Sequence, residues 1–316
     1  MANLLKGELV TFGPAALVTM GPVDLVRAFL SGRTSTTLLA YKGDLQDFTT
    51  FLQASSLDDA ARLLMSHGSG AANGLALAYR AHLLECGRAP KTINRRLSAL
   101  RSLAKLGRVL GMIPWTLEVE GVKSIAYRDT RGCGTEGFRK MLDSLESGLD
   151  SKTVRDRAII RLLYGMALRR GEVVSLDLSH VDLETGRLSI MGKGRTERES
   201  LSIPFKALDS LKAWIAVRGT EDGALFTSLD RAHFGHRLTG TSLYRLVSEL
   251  GLAVGLVARP HGLRHAAITA ALDATNGNTR AVQKFSRHRK LETLSLYDDS
   301  RADLGGQVAA LIDLGA

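Results

Sequence analysis

The chain has 316 residues, 45% hydrophobic and 23% charged, which excludes wholesale disorder and, at roughly 100–200 residues per domain, leaves room for two cores. It has no apolar run of about 18 residues to span a membrane, and its two cysteines, Cys86 and Cys133, are too few for a disulfide framework or a cysteine-rich zinc site, so a reducing cytoplasm is the expected compartment. With 42 Lys and Arg against 32 Asp and Glu the formal net charge is +10, which points to a polyanionic partner, nucleic acid ahead of a membrane surface.

Residues 1–24 read as a loose N-terminal arm. Gly13, Pro14, Gly21 and Pro22 interrupt the stretch that a signal peptide would need to be apolar. Leu38, Tyr41, Leu45, Phe48 and Leu52 recur at spacings of three and four, which predicts a helix over 34–53. A second helix is expected over 75–84, ended by Gly87 and Pro90. A third spans 92–111, with Ile93, Leu97, Leu100 and Ala104 forming a buried seam. Between Arg88 and Arg108 lie seven basic residues and no acidic one: Arg88, Lys91, Arg95, Arg96, Arg101, Lys105 and Arg108. Arg101, Lys105 and Arg108 share one helix face. A solvated surface usually mixes signs, so this one fits contact with DNA phosphates.

The helical pattern stops after Trp115, and the glycines and charges of 118–134 suit a linker. The expected organisation is a helical domain over 25–117 and a second domain over 135–316. In the latter, 154–168 reads as a mostly buried helix. Residues 188–190 and 201–203 alternate as half-buried strands around a Gly192-Lys193-Gly194 turn. Further helices are expected over 205–217, 241–250, 263–274 and 279–285. The fold class is mainly α with a small antiparallel sheet.

Several residues of the second domain suggest chemistry. Arg169 closes an apolar helix, and Glu172 stands three residues on, able to orient its guanidinium. Lys193 sits at a glycine-flanked hairpin tip, where it either approaches another backbone or is simply exposed. In His261-Gly262-Leu263-Arg264-His265 a helix starting near Pro260 brings His261, Arg264 and His265 to one patch, as a phosphate would require. A zinc helix is the competing idea, but Gly262 stands where such a motif needs glutamate. His288 follows in Ser286-Arg287-His288, and Tyr297 lies nine residues further on, read alone as a core tyrosine with its hydroxyl at the rim.

Taken in order, Arg169, Lys193, His261, Arg264, His288 and Tyr297 resemble the tyrosine recombinase (phage integrase) family. LLYGMALRRGEVVSL is similar to its first arginine box, MGKGRTERESLSIP to its lysine-bearing hairpin, HGLRH to its His-x-x-Arg-His box, and SRHRKLETLSLY to the last box. The match runs over about 135–297, and the basic helical domain resembles the family's core-binding domain. The resemblance implies a two-domain clamp on double-stranded DNA carrying a specific recombination site. Tyr297 would be the nucleophile, Arg169 and Arg264 the phosphate clamp, His261 the base, His288 a further phosphate contact and Lys193 the general acid. Glu172 and His265 would support the site, and no metal or other cofactor is implied. A tail helix carrying Leu304, Val308, Leu311 and Ile312 would dock on a neighbour in a DNA-bound tetramer. Family members carry Leu-Gly-His in the last box, and here Arg287 replaces the glycine; it would either extend the phosphate contacts or point to solvent. Two other readings stay open: a type IB topoisomerase-like nicking-closing enzyme, and a non-catalytic DNA-binding protein of the same fold.

Overall fold

The computed structural model describes residues 25–31, 35–123, 133–146, 148–192, 197–289, 291–292, 294 and 312–313. The chain separates into two compact units, Met1–Ala126 and Tyr127–Ala316. The expected N-terminal arm, the Lys193 turn, Tyr297 and most of the tail helix lie outside the described residues. Among the described residues no helix is long and apolar enough to cross a membrane.

The first unit is built from α1 (Leu25–Leu30), α2 (Ser35–Phe51), α3 (Leu57–Met65), α4 (Gly68–Glu85) and α5 (Pro90–Val109). Sequence sets the helix starts. Ser56 caps α3 by accepting the Asp59 amide at 3.0 Å, and Pro90 opens α5, where its missing N–H costs nothing. The predicted seam of α5 is buried, joined by Leu103, and packs on α1, α2 and α4. Phe29, Phe48, Leu64 and Tyr79 fill the rest of this core. The short helices α1 and α3 were not expected. The presumed linker also begins too early. Leu117 and Val119 are buried in this core, and the Asn94 side chain clamps Val122, accepting its N–H at 2.8 Å and donating to its carbonyl at 2.9 Å.

The second unit contains α6 (Gly134–Glu146), α7 (Ser151–Gly165), α8 (Arg170–Val174), a 3-10 turn (Leu178–His180), β1 (Val181–Asp182), β2 (Arg187–Met191), β3 (Arg198–Ser202), α9 (Phe205–Arg218), α10 (Gly240–Ala253), α11 (Pro260–Ala274) and α12 (Thr279–Ser286). It is mainly helical with a three-stranded antiparallel sheet, in the order β1-β2-β3. Leu188 pairs with Leu201 and Ile190 with Glu199, and the alternation in β2 turns Leu188 and Ile190 into the core. Asp150 caps α7 through the amides of Lys152 and Thr153. The helix then runs through the middle of the unit, with Ala158, Ile159, Ile160, Leu162 and Leu163 buried, against α6, α9 and α11.

One correction and one unpredicted feature bear on the site. First, α7 ends at Gly165, three residues short of the expected end. Ala167 then takes a left-handed φ of 45°, and the chain restarts as α8. Second, a small cluster of Ala167, Ala267, Ile268, Leu272, Val282 and Leu294 stands apart from the main core. It joins the end of α7 to α11, α12 and the segment leading toward Tyr297.

Candidate active site

A helix leaves its last carbonyls without intrahelical partners and its C-terminus partly negative. The ends of α7 and α12 meet here, and guanidinium groups answer both. Arg264, from the first turns of α11, donates to the carbonyls of Ala167 and Ser286. Arg287 donates through Nη1 to Met166 O at 3.1 Å and Phe285 O at 3.0 Å. Through Nη2 it reaches Ala167 O at 3.0 Å and Glu172 Oε2 at 3.0 Å.

Arg169 does not close a helix, as expected from sequence, but stands immediately before α8. Glu172 Oε2 accepts the Arg169 amide at 2.8 Å and Oε1 accepts its Nη1 at 2.6 Å. Arg169 Nη2 also donates to Arg287 O at 3.3 Å. Burial would raise the Glu172 carboxyl, but the charge of Arg287, the Arg169 amide and the Arg169 guanidinium outweigh it and hold it below the usual carboxylate range. Glu172 is therefore an anion shared by two arginines.

His288 follows Arg287 and is half-buried. Its Nδ1 lies 3.0 Å from Ser286 Oγ, and its carbonyl accepts Gln283 Nε2 at 3.1 Å. Burial, followed by the charges of Arg264, Arg169, His261 and Arg287, lowers its pKa to about 4, so it is neutral near pH 7. The bonds from Arg264 to Ser286 O and from Arg169 to Arg287 O bring both arginines beside His288, and His261 stands three residues before Arg264 on α11.

The HGLRH stretch was expected to bring three groups to one patch. The spacing on α11 is as predicted, but His261 is exposed while Arg264 and His265 are buried. Arg264 faces the carbonyls because α11 packs on α7. His265 Nδ1 lies 3.5 Å from Thr269 Oγ1 within the same helix. Both expectations for Arg287 are also corrected. Its side chain is only 5% exposed, and all four Nη hydrogens are given to groups of the protein. Sequence reasoning missed this role, and missed the carbonyls of Met166, Ala167, Phe285 and Ser286. The one available signal was a bulky residue where the family pattern has glycine.

In the first unit the structure divides the seven basic residues. Arg95 pairs with Asp44 of α2 at 2.8 Å. Arg96 pairs with Asp47 at 2.8 Å and approaches Asp44 at 3.9 Å. Tyr79 completes the cluster, donating its hydroxyl to Asp47 Oδ1 at 2.5 Å. The face is therefore not cationic throughout. Arg88, Lys91, Lys105 and Arg108 are exposed and Arg101 is half-buried. None of these five has a carboxylate partner among the described residues.

Comparison with known proteins gives the family of the chain. The model of the phage integrase family matches residues 135–303. Tyrosine recombinase slr0733 of Synechocystis sp. is 39% identical over 287 residues, covering 89% of this chain and 91% of that protein. Tyrosine recombinase XerC of Escherichia coli O157:H7 is 39% identical over 153 residues, covering 47% of this chain and 49% of its own. Among solved structures, the Tn1549 transposon integrase in complex with transposon right end DNA superposes with a TM-score of 0.67 at 16% identity, covering 94% of this chain and all of that one. A lambda integrase dimer bound to a core site gives 0.65 at 16% identity, covering 88% and 95%. The chain belongs to the phage integrase family. Within that family it is an enzyme of the tyrosine-type site-specific recombinase class.

Proposed function

We propose that the protein cuts and rejoins double-stranded DNA at a specific site through a covalent 3′-phosphotyrosyl intermediate formed by Tyr297. The observation that carries this reading is that Arg169 and Arg264 bond to the carbonyls of the two residues before His288, with His261 on the same helix as Arg264, in a chain that also supplies Lys193 and Tyr297 in family order.

A phosphodiester resists attack because its negative oxygens repel nucleophiles. Arg169 and Arg264 answer this by stabilising charge on the pentavalent transition state. A neutral His288 ring carrying its hydrogen on Nε2, with Nδ1 facing Ser286 Oγ, would donate to the same phosphate. Tyrosine has a reference pKa of about 10, so it needs a base, and His261 takes that role. The Tyr297 oxygen then bonds to phosphorus and the bond to the 5′-oxygen breaks. Lys193 gives that oxygen a proton. Rejoining reverses these steps with the 5′-hydroxyl of the partner strand. The tyrosyl ester keeps the energy of the broken bond, so no nucleotide is consumed. Both units contact the duplex, chiefly at phosphates. Four protomers on two sites would carry out integration or excision of a mobile element, or resolution of replicons, in the cytoplasm.

The test uses a nicked duplex carrying the site that this protein enriches from a random library. The wild type should form a protein–DNA adduct that survives denaturation, and Tyr297→Phe should bind the same duplex without forming it. An adduct with the Phe variant would refute the nucleophile assignment. Strand exchange between two differently labelled duplexes separates a recombinase from an enzyme that only nicks and reseals.

A further inference from the structure

Arg287 occupies a backbone conformation that favours glycine, with φ 57° and ψ 37°. An arginine stands there although the site already holds Arg169 and Arg264, and its charge is buried. Such an arrangement persists when the surroundings over-determine it, and here the surroundings are specific. One guanidinium spans the carbonyl ends of two helices and the carboxylate that holds Arg169. The peptide carbonyl of the same residue holds Arg169 a second time. The next residue in the chain is His288.

We propose that Arg287 is a positioning residue for the recombination reaction: it fixes Glu172, and through Glu172 and its own carbonyl it sets the Arg169 guanidinium, while fastening α12 to the end of α7 so that His288 is delivered at a constant distance. It does not touch the phosphate, because its four Nη hydrogens are spent within the protein and its Nε is buried. A guanidinium is suited to this junction because its planar fork holds several acceptors at once. A lysine ammonium, as a point charge on a flexible stem, would keep the pairing with Glu172 but could not hold the same set in one plane.

The proposal rests on the functional reading above, so its test has two arms. In the free protein, side-chain nitrogen NMR should show slowly rotating Arg169 Nη protons, assigned by their loss in Arg169→Lys. In Arg287→Gly these should average, with the helical signal by circular dichroism unchanged. In the nicked-duplex assay, Arg287→Gly should keep DNA affinity within about twofold and slow single-turnover cleavage by about 10–100-fold, the penalty of a misplaced catalytic group. Arg287→Lys should fall between the two, and serves in place of the glycine variant if that fails to fold. Because Arg287 acts in part through Glu172, the losses from Arg287→Gly and Glu172→Gln should be less than multiplicative in the double variant.

Averaging of Arg169 in the variant together with a wild type that forms no adduct would refute the functional reading and leave the positioning role standing. Slow Arg169 rotation in Arg287→Gly, wild-type cleavage by a folded variant, or fully multiplicative losses in the double variant would each overturn the proposal. So would cleavage that recovers at low temperature in parallel with stability, since that is what a purely structural residue gives.

Discussion

Removing Arg101, Lys105 and Arg108 together should change the salt dependence of DNA binding in a way that removing Arg95 does not. Each cation on a phosphate releases condensed counterions, so the slope of log K against log salt falls by about 0.9 per contact. Three alanines at these positions should flatten it by about 2.7 units. Over a fourfold rise in salt the wild type should then lose about 40-fold more affinity than the variant. Arg95 already lies 2.8 Å from Asp44, so Arg95→Ala should move the slope by less than about half a unit. Arg96 differs again. Its side chain is 13% exposed beside Asp44 and Asp47, and its loss leaves buried Asp44 with Arg95 alone. A cost of about 3 kcal/mol, or about 10–20 °C in the melting of a unit this size, is expected. Fluorescence anisotropy on a random-sequence duplex at several salt concentrations reads the slopes, and thermal melting reads the stability. An unchanged slope in a folded triple variant would mean that this face is merely solvated. A drop near 0.9 for Arg95→Ala would mean that its pairing with Asp44 is given up on DNA.

Arg169→Ala and Arg264→Ala should each slow cleavage at least about 10²-fold. Arg264→Ala should also strand the Ser286 carbonyl, leave Ala167 O to Arg287 alone, and cost about 2–5 kcal/mol in denaturant titration, against about 1 kcal/mol or less for Arg169→Ala; equal stability of the two would contradict the stitched helix ends. Lys193→Ala should cut ordinary DNA poorly but recover on a 5′-bridging phosphorothiolate, whose thiolate needs no proton to leave; equal impairment on both substrates would remove the general-acid role. Asp156 and the half-buried His288 give pH effects of opposite sign. Burial, opposed by Arg155, lifts the Asp156 carboxyl to about 6, so its contribution to stability is complete below the unfolded value near 4 and is lost as pH rises through 6. The lowered His288 contributes above pH 6.5 and loses its contribution as pH falls toward 4. Denaturant titrations across pH 4–7 should therefore show wild type losing ground to Asp156→Asn as pH rises and to His288→Asn as it falls; parallel curves would count against both.

The long helices were legible because their apolar spacing is strong, and the strands because Leu188 and Ile190 alternate with polar residues. The short helices α1 and α3 were not. Two of the three buried positions of α3 are alanines, Ala60 and Ala61, which signal burial weakly. Helix α6 was not expected either: the second domain was placed from 135 but its first helix only from 154, although Gly137, Met141, Leu142 and Leu145 form a buried face on α6. The six candidate residues were legible as types in order, since chemistry fixes which side chains a phosphate needs. What joins them was not. Asp44 meets Arg95 across 51 positions of sequence and Glu172 meets Arg287 across 115, and no local pattern reports such pairs.

Around the arginines, most of the acceptor set is main chain: Met166, Ala167, Phe285 and Ser286 are engaged through their carbonyls. A substitution at these positions alters a side chain yet leaves the oxygen where it was, as long as the backbone keeps its path. Drift in sequence can therefore pass through half of this centre without disarming it, and alignments that score side chains will undercount it. Transplanting the site to another scaffold would need the crossing of two helix ends reproduced to within hydrogen-bond tolerance, with the named side chains added only afterwards.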